Sequence, residues 1–197
     1  MGRRHHDRHA APAVPAPMDP FAILLEYERK SLAHVAGLPE QLDAPGLWRG
    51  VGYRIGQRRL ASGFDEVVEI LPMPQVTPVP GSQPWMLGVA NIRGNLLPTV
   101  DLKQFLEGER TVLHESQRVL IVRQPGGDVA VTIDELFGQR SFVEEQALAP
   151  DELPATALTD GRYAHFVDRA YRLADHAWGI FSLDRLARTP EFRQAAA

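Results

Sequence analysis

The stretch Leu87-Gly88-Val89-Ala90-Asn91-Ile92-Arg93-Gly94-Asn95-Leu96-Leu97-Pro98-Thr99-Val100-Asp101-Leu102 decides the fold class. Two apolar runs, Trp85 to Ile92 and Leu96 to Leu102, stand either side of Arg93-Gly94-Asn95. Three residues containing a glycine between two such runs predict a tight β-hairpin. Pro98 has no backbone N–H to give to a ladder, so the second strand is expected at a sheet edge or a bulge.

Working outward, the same grammar recurs. Upstream, Trp48 to Ile55 leads into a turn at Gly56-Gln57, and Leu60 to Phe64 follows. A connector carrying Pro72, Pro74, Pro78 and Pro80 excludes regular helix and central strand there. Downstream, Arg118 to Arg123 and Val129 to Phe137 flank the turn Pro125-Gly126-Gly127-Asp128. Glu144 to Pro154, acidic and proline-bearing, reads as a surface loop. Phe166 to Leu173 and Ala177 to Ser182 form a further hairpin around Asp175-His176, and Leu183 to Ala187 ends the run as a short helix. Many short strands with frequent turns predict a mainly β protein built as small antiparallel barrels or a sandwich.

The amino-terminal part differs. Residues 1–17 are poor in apolar bulk and rich in Arg, His, Ala and Pro, which predicts a disordered leader. His5, His6 and His9 fall within it, and a metal tract is the less favoured reading of them. From Asp19, a good N-cap, Pro20 and the helical spacing of Phe21, Leu24, Leu25, Leu32 and Val35 predict a helix that Gly37 and Pro39 stop. That helix either packs on the body of the chain or docks a partner. The expected organisation is a leader over 1–17, a helical extension over 18–47, a β-rich domain over 48–189 and a tail over 190–197.

Composition narrows the function. The 197 residues are 44% hydrophobic and 23% charged, enough for a sizeable core. A net charge of -4 argues against nucleic acid as the main partner, because phosphate binding needs clustered Lys and Arg. With no cysteine, disulfides, thiolate catalysis and Cys-ligated zinc are absent, as suits a reducing cytoplasm. The run Phe21 to Leu25 is far too short for a membrane span, so direct membrane insertion is not expected.

The patterns of phosphate loops, dinucleotide-binding turns and nucleophile elbows do not occur. His114-Glu115 begins a metalloprotease-like pair, but Arg118 stands where the second histidine belongs. His34, His165 and His176 lack metal-ligand spacing. Asp134-Glu135 and Glu144-Glu145 are adjacent carboxylates, which on a strand point to opposite faces. No enzyme, metal or cofactor is therefore expected. Two rival classes stay open: a barrel enzyme with an unrecognised site, and a nucleic-acid binder, which needs exposed aromatics interleaved with basic residues.

The opening segment resembles the signature of the CheW-like family, G-V-x-N-L/I-R-G-x-x-x-P-x-x-D-L, from Gly88 through Leu102. Weaker matches stand in order around it. Gly56 to Ile70 resembles the family's first hairpin, with Asp65 to Ile70 as its D-x-V-x-E-I element. Arg118 to Gly138 resembles the strand pair with V-D-x-V-x-G, and Ala177 to Leu186 the closing strand and helix. The likeness covers about residues 49–189. It implies two SH3-like, five-stranded barrels packed together, with short helices. It further implies a non-enzymatic cytoplasmic adaptor between a methyl-accepting chemoreceptor and a CheA-type histidine kinase, recruited to receptor arrays at the inner membrane. Pro20-Phe21, Ala36 to Pro39, Trp48 to Arg54 and Trp85 to Asn91 look closest to the branch serving type IV pili and twitching motility; a flagellar-chemotaxis adaptor is the alternative.

The resemblance also implies contact residues. Arg93 is the foremost, an arginine whose fixed donor fork suits recognition. Glu69 matches the acidic position of the first element, and its pairing with Arg93 across the barrel is an expectation. Val67, Gly88 and Leu136 match positions at or near the receptor-facing groove, with plain core as the equal alternative, and Asn91 lies in the matched signature. Ser62 and Gly63 depart from larger apolar residues in the family, and Thr132 and Glu135 are more polar than its pattern.

Overall fold

The computed structural model describes residues 46–194. The expected leader and the helix after Asp19 lie outside the described residues. Within them the chain is mainly β, in two mixed sheets.

The first sheet has the order β10-β11-β2-β1-β9, formed by β1 (Trp48–Ile55), β2 (Arg58–Gly63), β9 (Glu135–Phe142), β10 (Val167–Leu173) and β11 (His176–Phe181). The second has the order β3-β7-β8-β6-β5-β4. Its strands are β3 (Val67–Pro72), the two-residue β4 (Val76–Thr77), β5 (Met86–Ile92), β6 (Asn95–Val100), β7 (Arg118–Gln124) and β8 (Gly127–Ile133). Among the described residues three helices follow strands or each other: α1 (Leu102–Glu107), α2 (Leu183–Arg188) and α3 (Pro190–Arg193). Most pairings are antiparallel hairpins, but β11 runs parallel to β2 and β6 parallel to β8.

Alternation along the strands explains why the central ones are apolar throughout. In β7, Leu120 and Val122 enter the large core shared by both sheets, while Val119 and Ile121 enter a small cluster with Ala130, Leu71, Met73, Ile92 and Leu97. In β1, Val51, Tyr53 and Ile55 face the shared core, and Gly50 and Gly52 fall on the opposite face. A Cβ at Gly52 would stand 2.6 Å from the Arg140 stem and 3.0 Å from the Trp178 ring, so only glycine lets the cluster of Ala61, Phe142, Tyr171 and Trp178 close over β1. Each sheet thus serves one common core and one cluster of its own.

The hairpin at Arg93 exists, with a tighter turn than expected. Ile92 pairs directly with Asn95, leaving two turn residues, Arg93 at φ 54° and Gly94 at φ 85°. Left-handed backbone at both places is the type I′ geometry that matches strand twist. Pro98 lies in a strand that is interior by order. However, β6 pairs with β8 only at Thr99 and Val100, so Pro98 faces a single partner, Val89, and the ladder irregularity lies on β5 between Met86 and Gly88.

Three expectations are corrected. The second apolar run stops as strand at Val100, and Asp101 then caps α1: its carboxylate accepts from Gln104 N and from both N and Oγ1 of Thr111. Val129 to Phe137 is two strands in different sheets. Asp134 breaks the run by accepting from Gly56 N at 2.6 Å and donating its own N–H to Arg54 O at 2.9 Å. Gly56 to Ile70 is not one hairpin either, because β2 pairs with β1 and β3 with β7, across a 3₁₀ turn at Phe64–Glu66.

Candidate interaction surface

The tip of the β5–β6 hairpin is built by its own side chains. Asn91 Oδ1 accepts from Gly94 N at 2.8 Å and holds the turn. Arg93 then reaches away from its strand: Nη1 donates to Glu69 Oε2 at 2.8 Å and Nη2 to Glu69 Oε1 at 2.5 Å, a two-pronged pair. Strands β7, β8 and β6 lie between β3 and β5 in the sheet order, so this contact requires the second sheet to curl until β3 meets the hairpin tip.

Glu69 faces the tip because the β3–β7 register shifts between Val67 and Glu69. The shift lets Val67 and Ile70 both pack on the shared core and turns Glu69 to the other face, opposite Ile121. The ion pair stands beside the small cluster holding Ile92, Leu97 and Ile121, along a groove that Val68 and Leu96 also line. Val68 is 43% exposed and Leu96 70%. Arg93 is itself 73% exposed and Glu69 28%, so the cation is presented to solvent from a half-buried carboxylate.

The structure therefore gathers Arg93, Glu69 and Asn91 at one tip. Gly88, further back on β5, has φ 143°, and a Cβ there would collide with the Thr77 carbonyl, so its role is the close approach of β4. Val67 packs on the shared core. Leu136 is exposed on β9 in the first sheet, away from the tip residues in topology. Val68 and Leu96 escaped sequence reasoning. The signal was present in Val67-Val68 and Leu96-Leu97, since adjacent apolar residues on a strand cannot both face one core.

Departures from the family pattern have internal partners. Ser62 Oγ donates to Phe181 O at 2.7 Å and lies 2.8 Å from the Tyr53 hydroxyl. The single serine proton goes to the carbonyl, so Tyr53 donates to Ser62. Thr132 Oγ1 accepts from Leu102 N. The carboxylates of Asp134 and Glu135 do not diverge as strand neighbours should. The break at Asp134 brings both to Arg54, at 3.9 and 3.1 Å, where they balance one fixed cation.

No group of three metal-ligating side chains occurs among the described residues. Burial raises the Tyr53 phenol despite the Ser62 hydrogen bond, and burial followed by the Glu107 hydrogen bond raises Tyr163, so both remain protonated donors. The exposed large apolar residues among those described are aliphatic apart from Phe64, which gives no stacking platform for bases. No helix among them is long and apolar enough to cross a membrane.

A sequence profile of the CheW-like domain matches residues 49–191. Protein PilI of Pseudomonas aeruginosa is 33% identical over 177 residues, which cover 90% of this chain and 96% of PilI. The chemotaxis protein CheW of Thermotoga maritima is 26% identical over 104 residues, 53% of this chain and 68% of that protein. The crystal structure of the scaffolding protein TtCheW from Thermoanaerobacter tengcongensis shares the fold, with a TM-score of 0.59 at 19% identity over 72% of this chain and 93% of its own.

Proposed function

The chain belongs to the CheW-like domain family of non-enzymatic scaffolds, and from that premise we propose that it couples a methyl-accepting chemoreceptor to a CheA-type histidine kinase in the chemosensory system of type IV pili. The observation that carries the pilus assignment is the reach of the PilI match, which runs through 90% of this chain and includes sequence before the family domain. The match to Thermotoga CheW covers 53% and favours the second reading, an adaptor of flagellar chemotaxis.

For the adaptor role the support is the β5–β6 tip. A guanidinium held by two hydrogen bonds to a half-buried carboxylate has already lost much of its side-chain freedom. Flanked by exposed Val68 and Leu96, it offers a partner one oriented cation and two apolar contacts at small ordering cost. In this reading the chain works at the cytoplasmic side of the inner membrane, held there by its receptor.

The test is deletion of the gene in its own host, with twitching and swimming scored separately and the intact gene returned to the deletion strain. Loss of twitching with swimming retained, restored by the returned gene, is the expected result. Loss of swimming alone would assign the chain to the flagellar pathway, and both motilities intact would remove the adaptor reading.

A further inference from the structure

On the face of the first sheet turned away from the shared core, two guanidiniums converge on one pair of rings, at a place that shares no residue with the β5–β6 tip. Phe137 stands edge-on to Trp178, with ring centroids 5.3 Å apart. The Arg59 guanidinium carbon lies 5.2 Å from the Phe137 centroid and 5.7 Å from that of Trp178. The Arg140 carbon lies 5.7 Å and 5.2 Å from the same two centroids. Their backbone roots are well apart. Arg59 pairs with Arg54 and Arg140 with Gly50, positions on β1 that strand spacing sets about 13 Å from one another. The two side chains thus reach the rings from opposite ends of β1.

The convergence is built into the sheet. The Arg140 stem crosses β1 at Gly52, where a Cβ would come within 2.6 Å of Arg140 Cγ, so the glycine leaves the space in which the stem lies. Cation–π contact with the rings then holds each fork. The charges, however, are not balanced. Arg54 and Arg58, half-buried on the same two strands, each donate to a carboxylate, Arg54 to Glu135 at 3.1 Å and Arg58 to Glu107 at 2.9 Å. Among the described residues no carboxylate stands within ion-pair reach of Arg59 or Arg140. The one hydrogen bond these two forks make there runs from Arg140 Nη1 to the neighbouring Gln139 carbonyl. Both arginines are half-buried, so two like charges are drawn together partly out of water. A guanidinium cannot shed its proton to relieve that repulsion, as a lysine or histidine does. An anion bound by both forks relieves it.

We propose that Arg59 and Arg140 form a second binding site, which takes the phosphate group of a monoester. Charge and donor number select this class. A carboxylate or a phosphate diester brings one negative charge and leaves one of the two cations uncompensated. A monoester brings about −1.5 to −2 at neutral pH and three terminal oxygens, enough to accept from both forks at once. The rings take no part in stacking on the ligand. Phe137 and Trp178 brace the guanidiniums, and the donors that they leave unpaired hold the phosphate.

The experiment titrates the intact chain, in buffer free of phosphate, with acetyl-phosphoserine-amide and follows the Nε–H signals of Arg59 and Arg140 and the indole N–H of Trp178 by NMR. Saturable shifts at these groups with a Kd of about 0.1–10 mM are expected, weakened about tenfold or more in Arg59→Gln and in Arg140→Gln. Acetyl-glutamate-amide and dimethyl phosphate, each with one charge, should bind more weakly than the probe. Inorganic phosphate tells the source. Binding as tight as the probe's makes the ligand a small phosphate, and weaker binding makes it a modified side chain of a partner; either upholds the site. No saturable shift, shifts confined to other residues, or a singly charged ligand binding as tightly as the probe would overturn the proposal. Because the side-chain signals of the unaltered protein give the answer directly, a variant that fails to fold does not blunt the test.

Discussion

Arg93 shows how one residue joins backbone, ion pair and contact surface. Its left-handed backbone costs on the order of 1 kcal/mol in a residue other than glycine. The Glu69 pair contributes about 1 kcal/mol or less, since its cation is 73% exposed. Arg93→Ala should therefore lower stability by no more than about 1 kcal/mol, and Arg93→Gly, freed of the strain, should be at least as stable as the alanine variant. Denaturant melts on the two proteins check this, and a loss near 3 kcal/mol in Arg93→Ala would mean that the pair is structural. Ser62 predicts the opposite balance. Ser62→Ala orphans the Phe181 carbonyl and the Tyr53 hydroxyl inside the core, at a cost of about 2 kcal/mol. The buried phenols also set a pH limit. Above the ordinary tyrosine value of 10.0 the unfolded chain ionises Tyr53 and Tyr163 while the folded chain holds them protonated. Their contribution is complete below that value and is lost as the pH rises past it, so the melting temperature should fall there, and less steeply in Tyr53→Phe. The Arg93–Glu69 pair was an expectation that the sequence supplied through the resemblance. The Tyr53–Ser62–Phe181 chain was not legible, because Phe181 is 119 positions from Ser62 and only the sheet order brings them together.

At the scale of elements, the hairpins were readable because turn residues and alternation are local signals. Gly56-Gln57, Arg93-Gly94 and the Pro125-Gly126 turn all fall where glycine and apolar runs placed them. Helix α1 is missed because the strand-like run Leu96 to Leu102 absorbs its first residue, although Leu102, Phe105 and Leu106 stand at the i, i+3, i+4 spacing of a helix face. Its start depends on Asp101, a fully buried carboxylate that caps the helix and ties Thr111. Asp101→Ala should cost about 2–3 kcal/mol, more than a surface cap, because Thr111 N and Oγ1 lose a buried acceptor as well. Asp101→Asn, which keeps one acceptor oxygen, should lose less. Equal and small losses in both would show that the cap does not secure α1. Strand β4 offers a parallel case. Gly88→Ala forces a side chain against the Thr77 carbonyl, so amide exchange should quicken at Val76 and Thr77 before it changes in β7.

For the whole molecule, the class of fold followed from strand length and turn frequency, but the path between the sheets did not. The crossings depend on contacts such as Gly56 with Asp134 and the parallel pairing of β11 with β2, between residues far apart in the chain. The surface that follows from this path presents one oriented cation beside exposed Val68 and Leu96, as the proposed coupling scaffold would. The most direct test of that account is calorimetric titration of the intact chain with the regulatory domain of a CheA-type kinase from the same organism. The account predicts saturable one-to-one binding, with a Kd on the order of micromolar, by a protein whose melt shows it to be folded. Absence of any saturable heat or co-migration with the folded chain at about 100 μM of each protein would contradict it.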